Sequence, residues 1–149
     1  MKFSFATEQN EKQIKQLLAG SELHHEDITT AQLKHFLLGW EGPRLVAVVG
    51  LEISNHSALL RSLAVAPDYR NRRIATRLVG EIEDYAKSLK MDRIYLLTMT
   101  AEIFFKKCGY RRTARDSAPV GIQGTTEFQH LCPASAVCMV KYFNPATEG

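Results

Sequence analysis

The stretch from Leu59 to Leu89 commits the chain to a strand, a loop and a long helix in direct succession. An apolar run, Leu59–Val65, is broken by Arg61 and Ser62, turns at Pro67-Asp68 and enters a basic loop, Arg70-Asn71-Arg72-Arg73. Beyond Ala75 the positions Leu78, Ile82, Tyr85, Ala86 and Leu89 recur at three and four, which is helical periodicity. A helix start carries orphan backbone N–H groups and a partial positive charge, so it attracts anions. Arg70, Arg72, Arg73 and Arg77 crowd that end, where acidic side chains would be natural. Cations set against the dipole are mildly unfavourable, and a bound phosphate would offset them. The plain alternative is a solvated basic helix start.

At 149 residues, 45% hydrophobic, the chain is expected to form one domain with a sizeable core, 1–149. Lys and Arg exceed Asp and Glu by 19 to 16, a net charge of +3 that does not argue for nucleic acid. No apolar run reaches the length of a membrane span and no signal peptide opens the chain, so a cytoplasmic location is expected. Three widely spaced cysteines indicate neither a disulfide framework nor a zinc site. His24-His25-Glu26-Asp27 reads as a solvated loop, because adjacent side chains diverge and no further histidine follows at helical spacing. No metal is expected.

Phe3 and Phe5 alternate with polar residues and predict a short edge strand. Thr7 is positioned to cap a helix carrying Ile14, Leu17 and Leu18 on one face, with Gly20 as its stop. Thr29 and Gln32 have capping-box spacing and open a short helix through about His35. Phe36–Trp40 and Arg44–Ile53 flank Gly42-Pro43 as a hairpin, and Asn55-His56 turns into the strand Ala58–Val65. Four strands are thus expected to pair antiparallel in sequence order. The helix Ile74–Leu89 leads to a buried strand, Ile94–Thr98, and strand–helix–strand implies parallel pairing of the flanking strands. Thr100 is the expected cap of a helix from Ala101 to Cys108 that Gly109 ends. Strands near Tyr110–Arg115 and Val137–Phe143 complete the chain. The fold class is α/β (α+β), a mostly antiparallel mixed sheet flanked by helices.

The run Leu63-Ala64-Val65, Pro67, Arg70-Asn71-Arg72-Arg73-Ile74-Ala75 resembles motif A of the GCN5-related N-acetyltransferases, Arg/Gln-x-x-Gly-x-Gly/Ala. Arg70 and Ala75 match the ends of that pattern; Arg73 stands where its central Gly is expected. Ala101-x-x-Phe104-Phe105-x-x-x-Gly109-Tyr110 is similar to motif B, with Phe105 where the family often has a Tyr that protonates the departing thiolate. The order Leu96-Leu97-Thr98-x-Thr100-Ala101-Glu102-x-Phe104-Phe105, Glu127-Phe128-x-x-Leu131-Cys132-Pro133-x-Ser135-Ala136 and Met139-x-Lys141 resembles a subgroup of small acetyltransferases associated with arsenic-resistance operons.

The resemblance implies acetyl-CoA as cosubstrate. Backbone groups of Leu63 and Val65 would pair with the pantetheine arm, and Arg70, Asn71, Arg72, Arg73, Ile74, Ala75 and Thr76 would hold the pyrophosphate. Phe105 would border the thioester. It also implies a small-molecule amine as partner, a monomer or homodimer, and, through the subgroup, an amino-acid-like arsenical as a candidate acceptor. Glu127 and Ser135 line the substrate mouth on the subgroup resemblance alone.

The residues themselves supply a base. An amine must lose a proton before it attacks a thioester. Glu52, near the end of an apolar strand, is the best carboxylate for this; equally, it is the ion-pair partner of Arg61, one sheet diagonal away if Asn55-His56 is a two-residue turn. Arg61 beside Ser62 suits a substrate carboxylate by its guanidinium geometry. Cys132 reads as a structural cysteine. The competing class is a non-catalytic CoA-binding sensor, sustained by the missing Gly and Tyr.

Overall fold

A computed structural model describes residues 1–143. The chain runs β1 (Lys2–Phe5), α1 (Glu11–Gly20), β2 (Phe36–Glu41), β3 (Arg44–Ser54), β4 (Ser57–Val65), α2 (Ile74–Ser88), β5 (Arg93–Thr98), α3 (Glu102–Lys107), β6 (Arg111–Arg112), α4 (Val120–Gln123) and β7 (Val137–Tyr142). The strands make a seven-stranded mixed sheet in the order β1-β2-β3-β4-β5-β7-β6. Two compact units divide the chain: Met1–Leu51 with Arg61–Ile82, and Glu52–Leu60 with everything from Glu83 onward. Both β4 and α2 pass from one unit into the other.

In the first unit β1 pairs antiparallel with β2, and β2 with β3 across the Gly42-Pro43 turn. Gly42 takes φ +56°, a backbone that costs a residue with a Cβ. The core gathers Ile14 and Leu18 of α1, Ile28, Leu33, Phe36, Leu38, Val48 and Ala64. Thr7 caps as its sequence suggests, but its box partner is Asn10 and the first turn is 3-10, with α1 starting at Glu11. Gly20 does not stop α1. The helix ends in a Schellman arrangement, with Leu23 N–H on the Leu18 carbonyl (3.0 Å) and Glu22 N–H on that of Ala19 (3.1 Å). Its left-handed residue is Glu22, φ +59°, a place more often taken by glycine. The Thr29/Gln32 box is present and opens a 3-10 turn, Thr30–His35.

In the second unit β5 is the organising strand. Its parallel ladder pairs Ser57, Ala58 and Leu59 of β4 with Arg93, Ile94 and Tyr95, the arrangement a crossover helix requires. Its antiparallel ladder with β7 runs from Arg93↔Tyr142 to Thr98↔Val137. Leu59, Tyr95, Ala118, Ile122, Cys138 and Val140 form the core here. The strand expected near Tyr110–Arg115 shrinks to Arg111–Arg112, because Arg115 begins a 3-10 turn and turns its guanidinium onto the Phe128 and Pro133 carbonyls at 2.9 and 2.6 Å. The N-cap of α3 is Ala101, not Thr100, and its N–H donates to the Thr98 hydroxyl at 2.9 Å. Gly109 ends that helix at φ +98°, with the Tyr110 N–H reaching back to the Phe105 carbonyl at 3.0 Å.

Candidate functional site

The distal half of β4 turns one side of its backbone away from β3. Main-chain N–H and C=O groups of a strand alternate sides from residue to residue. The Ala66 N–H donates to the Val46 carbonyl of β3 at 2.7 Å. By alternation Ala64 faces β3 too, and the main-chain groups of Leu63 and Val65 point away from it. The Val65 carbonyl accepts the Arg70 Nε–H at 2.9 Å, which ties the loop back to the strand it leaves.

Ser62 interrupts this strand. Its φ is +62°, a left-handed residue inside β4, which breaks the pleat as a bulge does. The Arg61 side chain, 1% exposed, donates Nε–H to the Ser62 hydroxyl at 3.0 Å. Its two terminal nitrogens grip Asp27, Nη1 to Oδ2 at 2.5 Å and Nη2 to Oδ1 at 2.8 Å. Asp27 is therefore not a member of a solvated loop. Burial pushes its carboxyl up, but the Arg61 hydrogen bonds and charge outweigh that and hold it below the ordinary carboxylate range. The fork that the sequence reserved for a substrate carboxylate is already on Asp27. Its partner lies 34 positions away, so no local spacing announces the pair.

The loop into α2 is arginine-rich and pinned. Asn71 and Arg73 take φ +64° and +61°, so the residue at the expected Gly position adopts the backbone a glycine would favour. Successive amides around such turns form concave anion cradles. Arg44 pairs with Asp68 at 2.7 and 3.1 Å and lies over the Tyr69 ring at 5.3 Å; Arg72 lies over the same ring at 4.9 Å. Arg77 covers Phe3 at 4.8 Å. Arg70, Asn71, Arg72, Arg73 and Thr76 are exposed, Ala75 is half-buried, and Ile74 is buried in the helix start. The first turn of α2 has no acidic side chain. Arg44, Asp68 and Tyr69 are parts of this cradle that sequence reasoning missed.

The remaining expected residues lie in the second unit. Glu52 is half-buried two residues before the end of β3. Phe105 is buried, edge-on to Phe104 and Tyr110 with ring centroids at 5.1 and 5.6 Å. Glu127 is buried at the start of a π turn, Glu127–Leu131, and Ser135 is exposed. Behind α3, Glu83 of α2 accepts the Tyr110 hydroxyl and the Lys141 ammonium, both at 2.9 Å. Burial, with the Glu83 charge, pushes the Cys108 thiol up, so it is a poor proton donor for a thiolate. Burial also pushes the Cys138 thiol up to about 11. Among the described residues no cluster of His, Cys, Asp and Glu could hold a metal ion, and no helix is long and apolar enough to cross a membrane.

A model of the acetyltransferase (GNAT) family matches residues 4–110. The chain belongs to that family. A search of curated protein sequences finds no match. Among solved structures, the GNAT fold recurs in N-acetylglutamate synthase from Neisseria gonorrhoeae, complexed with coenzyme A and N-acetyl-glutamate. The TM-score is 0.85 at 16% identity, covering 96% of this chain and 35% of that one, so this chain spans about a third of the synthase. Rv2747 from Mycobacterium tuberculosis, in complex with CoA and NLQ, matches at TM-score 0.79 and 18% identity over 97% of this chain and 100% of that one. An aminoglycoside 6'-N-acetyltransferase complexed with coenzyme A gives TM-score 0.72 and 18% identity over 97% and 98%. This GNAT chain shares their fold, and acetyl transfer is the family's chemistry.

Proposed function

We propose that the protein moves the acetyl group of acetyl-CoA onto the primary amine of a small, carboxylate-bearing, amino-acid-like acceptor. One observation carries the reading: two left-handed residues, Asn71 and Arg73, form an arginine-lined turn between β4 and α2. That turn fits a pyrophosphate. Amides from Asn71 to Thr76, at the N-terminus of α2, supply donors, and no acidic side chain in the helix's first turn opposes an anion. The main-chain groups of Leu63 and Val65, pointing away from β3, suit pairing with an extended pantetheine arm, as an added strand would.

The bound cosubstrate supplies the activated acyl carbon; the chain supplies orientation and a base. Glu52 accepts the amine proton, directly or through one water. Phe105 donates no proton, and little is needed: a thiol of pKa about 8.5 leaves readily as thiolate near neutral pH. Its ring is buried beside Phe104 and Tyr110. Glu127 and Ser135 are assigned to the acceptor mouth, and Arg61 acts through Ser62. N-acetyl-glutamate and NLQ in structures of the same fold favour an amino-acid-like acceptor. An arsenical amino acid is the finer form of this proposal, resting on the resemblance of residues 96–141 to the arsenic-operon subgroup.

A thiol-release assay with acetyl-CoA tests it, run against glutamate, glutamine, amino-acid-like arsenicals, aminoglycosides and simple amines. Turnover is expected with the carboxylated amines. Clear CoA binding with no turnover on any amine would leave a sensor. In the same assay Glu52→Gln should lower kcat on the order of 10²-fold and regain rate at high pH, where more acceptor is already deprotonated. A stable variant with near-normal turnover would remove Glu52 from the base role.

A further inference from the structure

Asp27 belongs to no motif, yet it holds the most buried guanidinium described above. It sits in the connection between α1 and the 3-10 turn Thr30–His35, fixed by neighbours on its C-terminal side: Ile28 is buried, and the Thr29/Gln32 box follows at once. From there both carboxylate oxygens engage Arg61, whose third donor goes to the Ser62 hydroxyl. Ser62 is the left-handed residue within β4. An L-residue with a Cβ holds φ near +60° at a cost that its surroundings must offset. Here a fixed acceptor, Asp27, orients a rigid fork that grips the side chain of the strained residue itself.

We infer that Asp27 is a positioning residue for acyl-CoA binding: through Arg61 it locks Ser62 in the left-handed bulge that aims the main chain of Leu63–Val65. The inference rests on the acetyl-CoA reading above and names a residue of that site which touches neither cosubstrate nor acceptor. It also gives Arg61 a task other than clasping the acceptor's carboxylate.

The test is Asp27→Asn, alone and combined with Ser62→Gly, in the full chain. Acetyl-CoA affinity is read by calorimetry, and KM for each substrate and kcat by steady-state kinetics. Asn keeps the shape of Asp but loses the charge that orients the fork. Asp27→Asn should weaken acetyl-CoA about tenfold, the affinity equivalent of one left-handed residue left unsupported, with kcat and the acceptor KM little changed. Adding Ser62→Gly should restore most of that loss, because glycine needs no support at φ +62°. An ion pair that merely holds the fold together would not be rescued by a glycine at position 62. Wild-type affinity in Asp27→Asn, or a loss that Ser62→Gly leaves in place, would overturn the inference. Should Asp27→Asn not fold, Ser62→Gly alone decides: binding at least as tight as wild type is expected, and a tenfold loss would mean that the hydroxyl itself is the ligand group. Failure of the wild-type protein to bind CoA would overturn the acetyl-CoA reading instead.

Discussion

At the scale of single residues, the chain places ordinary side chains where glycine would be easier. Glu22, Ser62, Asn71 and Arg73 all have φ near +60°. Each such residue costs about 1–2 kcal/mol unless something local repays it, Asn least. Ser62 is held by Arg61, and Glu22 closes a Schellman motif. Arg73 holds φ +61° at an exposed position just before α2. Arg73→Gly should therefore raise the melting temperature of the ligand-free protein by about 2–4 °C, the yield of roughly 1 kcal/mol in a chain of this size. Acetyl-CoA affinity should hold or improve. A fall in affinity of tenfold or more would identify the Arg73 guanidinium as a direct phosphate ligand, and calorimetry on the two proteins separates these outcomes.

At the scale of elements, the sequence was most legible where a turn residue and a period agreed. Gly42-Pro43 between apolar runs and the strand–helix–strand order around α2 carried through to the sheet. Gly109 did as well: at φ +98° it terminates α3, and Tyr110 packs edge-on to Phe105 as the hydrophobic contact of that cap. Where the left-handed position is not a glycine, as at Glu22 or Ser62, composition carried no signal. Thr100 does not cap α3, because the cap is Ala101 and its N–H is already taken by Thr98, the last residue of β5. The short β6 has a similar cause, since Arg115 answers to carbonyls 13 to 18 residues downstream. Gly109→Ala tests the best-read of these. The new Cβ would sit 3.2 Å from Lys141 Cε at a backbone that disfavours it. The cost should be about 1–2 kcal/mol, a drop of about 2–8 °C in melting temperature. Because Lys141 also bonds Glu83, thermal scans at low and high salt should show the loss largest at low salt. An unchanged melting temperature would mean that the helix end relaxes into another cap.

At the scale of the molecule, the legible part of the site was its charge and the illegible part was what restrains that charge. Four arginines at a helix start announce an anion. Nothing in the spacing tells that Arg70 is tied to Val65, or that Arg72 shares the Tyr69 ring with an Arg44 paired to Asp68. Those ties order the loop before any ligand arrives, so less ordering entropy opposes binding. A ligand that binds the native state alone raises stability by about 2.7 kcal/mol at a hundred times its Kd. For a chain of this length that is about 5–10 °C in melting temperature. Acetyl-CoA should produce such a shift, and added salt should reduce it, since part of the attraction is between exposed charges. Arg70→Ala combined with Arg72→Ala removes the Val65 tie and one face of the Tyr69 stack together with two cations. The ligand-free protein should melt slightly lower, because both side chains are exposed, but most of the ligand-induced shift and its salt dependence should disappear. If the double variant keeps both the wild-type shift and its salt dependence, the phosphates are held elsewhere. If it keeps the shift but loses the salt dependence, backbone amides at the start of α2 hold the pyrophosphate and the arginines only draw it in.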